Sequence, residues 1–181
     1  MNLPFFTIGH STRSIDEFVE LLRSAEVSVV ADVRRIPMSR TNPQFNKTAL
    51  PATLERFQIG YQHLAALGGR RPKSTNPSGP PNTFWQNPSF RNYADYALSP
   101  DFRAGVDNLI ALGHLQRCAI MCAEAVWWRC HRRIIADYLL ARHETVFHLM
   151  GTNRIEPARL TSGAIIQPDE TVMYPAVMTE A

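Results

Sequence analysis

Four short runs decide the fold class: Phe5-Phe6-Thr7-Ile8, the break Gly9-His10-Ser11, the quartet Ser14-Ile15-Asp16-Glu17, and Val27-Ser28-Val29-Val30-Ala31-Asp32. The first is apolar or β-branched and stops at a turn signal, which reads as a short buried strand. Ser14 and Glu17 have the spacing of a capping box, the serine capping the helix and the glutamate reaching back. Phe18, Leu21, Leu22 and Ala25 then recur at helical spacing. Residues 27–31 form a second β-branched run, ending in Asp32-Val33-Arg34-Arg35. Strand, helix and strand with short links predict a right-handed βαβ unit and a parallel strand pair. Both strands then end on one sheet edge, where His10 and Ser11 would meet Asp32 and Arg34.

The same alternation continues. Residues 37–51 read as a polar loop whose prolines forbid a continuous helix. A short helix over 52–57 and a strand over 59–64 follow. Gly68 to Asn82, rich in Gly, Pro, Ser and the basic residues Arg70, Arg71 and Lys73, reads as a mobile surface loop. Helices are predicted over 90–98 and 101–112, capped by Ser89 and Ser99, with Gly113 ending the second. Residues 115–121 read as a buried strand. A helix over 129–142 follows, with Ile134, Ile135, Tyr138 and Leu139 facing the core, and then a last parallel strand over 145–149. Residues 163–166, the Pro168-Asp169-Glu170 turn and residues 171–174 predict a small hairpin, packed on the sheet edge or exchanged with a partner chain. The expectation is one α/β domain over residues 1–181: a mostly parallel twisted sheet with helices on both faces, Rossmann-like and three-layered, plus a C-terminal hairpin.

The chain has 181 residues, 45% of them hydrophobic, enough for the full core of a single domain. Its 19% of charged residues argues against bulk disorder. A net charge of +3 suits an anionic ligand or nucleic acid, and equally an ordinary, weakly basic enzyme surface. Cys118, Cys122 and Cys130 are an odd number without a secretory-type start, so reduced thiols in the cytoplasm are expected. No apolar run approaches the roughly 18 residues of a membrane span.

The chemistry concentrates in Cys118 to Arg133, C-A-I-M-C-A-E-A-V-W-W-R-C-H-R-R. A strand running into a helix N-terminus aims such residues at one point above the sheet edge. Cys122, Glu124, Cys130 and His131 admit three readings. The two thiolates and the imidazole could hold zinc with His10 or Glu124 as fourth ligand, but the C-x₂-C pairing of structural zinc sites is missing. Adjacent Cys130 and His131 would also point about 100° apart on a helix. Cys130 or Cys122 could instead be a thiolate nucleophile, favoured by a helix N-terminus and arginines. Or they are small buried apolar residues, the reading preferred for Cys118. Glu124 is a candidate acid/base if burial raises its pKa, or else a partner of Arg132 or Arg34. Arg34, Arg40 and Arg132 could bind a phosphate or carboxylate in bidentate fashion. Asp32 could orient Arg34 or His10, or abstract a proton. Phe84-Trp85 and Trp127-Trp128 could stack on a base, though at least one tryptophan of each pair is expected in satellite core. His148, read as ending the last strand, is a weaker candidate at the same edge.

With T-I-G-H-S at 7–11, D-V-R-x-x-P-x-S-R at 32–40, Q-F-N at 44–46, Leu67-Gly68-Gly69, C-x-E at 122–124 and C-H-R at 130–132, the chain resembles the DUF488 family. The resemblance implies that Ser11, Ser39, Asn46 and His131 belong with the residues above. The expected site therefore has catalytic candidates Cys122, Glu124, Cys130, Asp32 and His10. Its ligand-binding candidates are Ser11, Arg34, Ser39, Arg40, Asn46, His131 and Arg132. No metal is assigned, and the cofactor is left unknown. The leading expectation is an enzyme acting on an anionic small molecule, such as a nucleotide- or nucleobase-containing one. The alternative is a nucleic-acid-binding module using Arg34, Arg35, Arg40, the Arg70–Lys73 loop and Trp85. A homodimer through the hairpin is the one protein partner the sequence suggests.

Overall fold

In the computed structural model, which describes residues 1–75 and 82–176, the opening runs form β1 (Phe5–Gly9), α1 (Ile15–Ser24) and β2 (Val29–Asp32). The capping box is made in full: Ser14 Oγ accepts from the Glu17 amide at 3.1 Å, and the Glu17 carboxylate accepts from the Ser14 amide. The chain continues through α2 (Leu50–Glu55), β3 (Gly60–His63), α3 (Pro88–Tyr96), α4 (Pro100–Leu115), β4 (Cys118–Cys122), α5 (Arg132–Ala141), β5 (Val146–Gly151) and β6 (Arg154–Pro157). It closes with a two-stranded hairpin, β7 (Ile165–Ile166) and β8 (Val172–Met173).

The sheet order is β3-β2-β4-β1-β5-β6, parallel except for the edge strand β6. Alternation along the strands divides the core. Phe6, Ile8, Val30, Ala119 and Met121 pack with Phe18 and Leu22 of α1 and Leu50 and Leu54 of α2. Phe5, Val29, Ala31, Cys118 and Ile120 pack on the other face with Phe102, Val106 and Leu109 of α4 and Ile134, Ile135 and Leu139 of α5. This is the expected three-layer α/β domain, built from strands buried on both faces.

The structure departs from the sequence expectations in several places, each with a local cause. β1 and β2 run parallel but do not pair, because β4 lies between them. At about 4.8 Å per strand spacing, α1 and its links easily span the one intervening strand. The cap of α3 is Asn87, whose side chain accepts from the Ser89 amide, not Ser89. Gly113 does not end α4, which runs to Leu115. A Cβ on Gly113 would come within 2.1 Å of the Phe5 ring, so the glycine serves helix–sheet packing. Leu115 is accordingly a helix-end residue, 81% exposed, and not part of a strand. Helix α5 starts three residues late, since residues 127–129 form a separate 3₁₀ turn.

The edge strand β6 was not anticipated. Its charges and terminal proline hide it from hydrophobic periodicity, and they also suit an edge. With β6 on that edge, the hairpin packs on α5 and not on the sheet edge. Val172 and Tyr174 are fully buried, Tyr138 Oη donates to the Val172 carbonyl, and Tyr174 Oη donates to Asp137 Oδ2 at 2.8 Å. Part of the loop expected to be mobile, residues 76–81, lies outside the described residues. Its start is held: Arg71 donates to the Ala65 and Gly68 carbonyls and covers the Tyr96 ring at 3.8 Å. Among the described residues, no helix is long and apolar enough to cross a membrane.

Gly113 sets up a contest of two effects. Alanine gains about 1 kcal/mol of helix propensity, but forcing a methyl against the fully buried Phe5 costs about 1–3 kcal/mol. The clash should win. Gly113→Ala is expected to lower the urea midpoint at unchanged slope, and a raised midpoint would refute the packing argument.

Candidate functional site

Adjacent strands β1 and β4 send their chains to opposite faces of the sheet, β1 into α1 and β4 into α5. Diverging exits of this kind open a crevice at the carboxyl ends of parallel strands. The ladder continues beyond the strands: the His10 amide donates to the Cys122 carbonyl at 2.9 Å, and the Ser11 amide to Ala123 at 3.0 Å. Gly9 is pressed so closely on the other exit that a Cβ would lie 1.7 Å from the Glu124 carbonyl oxygen. Above this junction lies a cleft of about 830 Å³. His10, Ser11, Arg34, Ser39, Cys122, Glu124, Cys130 and His131 all line it. A smaller hollow of about 420 Å³, between α2 and β3, offers none of these groups.

One wall is a buried polar chain. Asp32, fully buried, takes Arg34 in a two-point ion pair, Nε to Oδ1 at 2.9 Å and Nη2 to Oδ2 at 2.7 Å. Tyr61 Oη also donates to Asp32, and Arg34 Nη2 donates to the Phe45 carbonyl. With both oxygens taken and no exposure, Asp32 is not placed to abstract a substrate proton; it orients Arg34. Arg34 Nη1 lies 3.2 Å from His10 Nε2, and His10 Nδ1 lies 2.9 Å from the Ser11 carbonyl. A guanidinium only donates and a carbonyl only accepts, so Nδ1 carries the proton and Nε2 accepts. Burial, opposed by the Ser11 hydrogen bond, lowers the His10 pKa, in keeping with this neutral form. Phe45 stacks on the ring at 4.4 Å and fixes its plane.

The second wall joins the thiols. Cys130 has extended backbone and His131 is the helix cap, so the two are not successive helix positions. Instead of diverging, they touch: Cys130 Sγ lies 3.6 Å from His131 Nδ1. His131 Nε2 donates to the Val33 carbonyl at 2.7 Å, leaving Nδ1 to face the sulfur. The Arg132 amide and Nε both donate to Cys130 Sγ at 3.4 Å, while Nη2 holds the Glu124 carbonyl at 2.6 Å. Burial opposes charge on Cys130, yet the hydrogen bond from Cys122 and the nearby His131 and Arg132 hold its pKa well below the ordinary thiol value. Burial and the Cys130 sulfur push Cys122 well above it. The contacts from Arg132 and His131 thus favour the thiolate at Cys130 over Cys122. Cys118, in the core, is raised by burial to about 12 and belongs to packing, as expected.

Other candidates fall differently. Arg132 is 1% exposed and supports the floor from below without lining the cleft. Glu124 is exposed and ion-pairs with neither Arg132 nor Arg34. Asn46 caps the loop by accepting from the Ser39 amide, and exposed Arg40 stands outside the lining. Arg70, Arg129, Phe90 and Tyr93 also line the cleft, although the sequence did not place them in this site and assigned Arg70 only to the nucleic-acid alternative. Only the basic composition of the 70–73 loop and of the Trp-Trp-Arg turn hinted at the first two. Gly69 leaves the space in which His131 sits, since a Cβ there would approach Nδ1 to 2.9 Å. Trp85 is buried against Phe90 and Tyr174, and Trp127 stacks on His148 at 4.5 Å. His148 lies within β5, not at its end, bonded to Thr7 Oγ1 and outside the cleft. Among the described residues, no group of three or more His, Cys, Asp or Glu side chains is placed to hold a metal.

The chain matches the family described as Domain of unknown function DUF488 over residues 14–139, and it belongs to that family. No curated protein and no solved structure matches it.

Burial and the charge of Arg132 lower the His148 pKa from 6.5 to about 4. Below 6.5 the unfolded chain takes up a proton that the native ring refuses. Its contribution is therefore complete above pH 6.5 and is lost as the pH falls toward 4, at most about 3 kcal/mol. In an NMR titration the His148 ring signal should stay constant from pH 7.5 to 5; a midpoint near 6.5 would contradict its burial.

Proposed function

We propose that this protein is an enzyme acting on an anionic small molecule, with Cys130 as the attacking thiolate. The observation that carries this reading is the Cys130 sulfur itself. It borders the cleft, takes two donors from Arg132 and sits against His131 Nδ1. A thiolate held by cations beside an imidazole is the arrangement of an activated nucleophile. The Val33 carbonyl fixes the ring so that Nδ1 can receive the thiol proton and return it to a leaving group.

The anionic preference rests on charge. Arg34 is paired to Asp32, and Arg35, Arg70 and Arg129 line the cleft against the single carboxylate of Glu124. Phe90 and Tyr93 add an aromatic side wall, and the volume is that of a ligand site, suiting a nucleotide or nucleobase-containing group. The nucleic-acid alternative has less to stand on, because the tryptophan it needs for stacking, Trp85, is 5% exposed and already enclosed by rings.

Alkylation tests both halves of the proposal. At low ionic strength Cys130 should react first, at a rate that stays level from pH 9 to below 7, and iodoacetate should outrun neutral iodoacetamide. Arg129→Ala or Arg70→Ala, each removing an exposed charge worth up to about 1 kcal/mol, should slow iodoacetate up to about fivefold and leave iodoacetamide unchanged. Reaction at Cys130 no faster than at Cys118 would sink the nucleophile, and a preference for iodoacetamide would sink the anion.

A further inference from the structure

A lone nucleophile does not explain Cys122. Cys122 is 2% exposed, and its thiol interacts with the Cys130 sulfur and the Glu124 backbone. Both cysteines border the same cleft, one at the exit of β4 and one at the entry to α5. Both also interact with the Arg132 guanidinium, so a disulfide of about 2.05 Å would form above it once the sulfurs approach. Beneath them Arg132 is fixed at both ends, by the Glu124 carbonyl and by Cys130.

We infer that the Cys130–Cys122 pair reduces a small hydroperoxide by two electrons, Cys130 attacking and Cys122 resolving. The inference rests on the reading of Cys130 as the nucleophile. The Cys130 thiolate attacks the terminal oxygen of the hydroperoxide. The O–O bond breaks, its electron pair leaves on the other oxygen, and that oxygen takes the proton on His131 Nδ1 to become an alcohol or water. Cys130 is left as a sulfenic acid, two electrons more oxidised. The Cys122 thiol then attacks the Cys130 sulfur. The S–O bond breaks, hydroxide leaves with the Cys122 proton as water, and a Cys122–Cys130 disulfide remains. An external dithiol restores the pair by exchange, becoming a disulfide itself. Arg132, donating to the thiolate, holds it in its charged form for the attack.

The test uses the unaltered chain, free of reductant, with one equivalent of hydrogen peroxide, followed by peptide mass spectrometry. The expected product is a peptide pair joined through Cys122 and Cys130, lighter by two hydrogens, with Cys118 untouched. Cys122→Ser should instead leave Cys130 as a sulfenic acid that dimedone traps, and Cys130→Ser should yield neither product. If iodoacetamide labels Cys130 quickly but peroxide forms no such disulfide and Cys122→Ser traps no adduct, the peroxide inference is overturned and the nucleophile stands. If Cys130 also resists iodoacetamide, both fall.

Discussion

The contact on which the site depends is the approach of the Gly9 backbone to the Glu124 carbonyl. Where the exits of β1 and β4 diverge, the first residues of each remain hydrogen-bonded, His10 to Cys122 and Ser11 to Ala123. This zippered stretch holds the two loops in one register, so the cleft opens directly above it. The Glu124 carbonyl that crowds Gly9 also receives Arg132 Nη2. A single peptide group therefore locks strand to strand and supports the guanidinium under the Cys130 sulfur.

Two arginines are buried in this small region, and burying charge is costly unless it is paired and fully bonded. Arg34 meets that condition with a carboxylate, a carbonyl and a neutral imidazole. Arg132 has no carboxylate; its neighbours are a carbonyl oxygen and a sulfur. The missing anion is supplied most economically by the sulfur itself, which ties the ionised state of Cys130 to the folded state of the floor.

Strand ends and helix faces were legible in the sequence where local chemistry decides them. The Ser14–Glu17 box and the β-branched run before Asp32 needed no information from elsewhere in the chain. Site membership was legible to the extent that residues lie directly at strand exits, as do His10, Arg34 and Cys122. What could not be read was set by tertiary contact. Gly113 looks like a helix end until Phe5 is known to lie against it. Cys130 and His131 look divergent until the start of α5 is known. Arg40 and Arg70 are alike in sequence, and only the path of their loops puts one outside the cleft and the other on its rim.

The central position of β4 has a consequence for how the chain is made. Its ladder partners, β1 and β2, are complete by residue 32, whereas β4 begins at residue 118. Through most of synthesis, therefore, the two earlier strands each present an unpaired edge to their surroundings. Such edges invite premature pairing. The full capping box at Ser14 orders α1 locally, without help from β4.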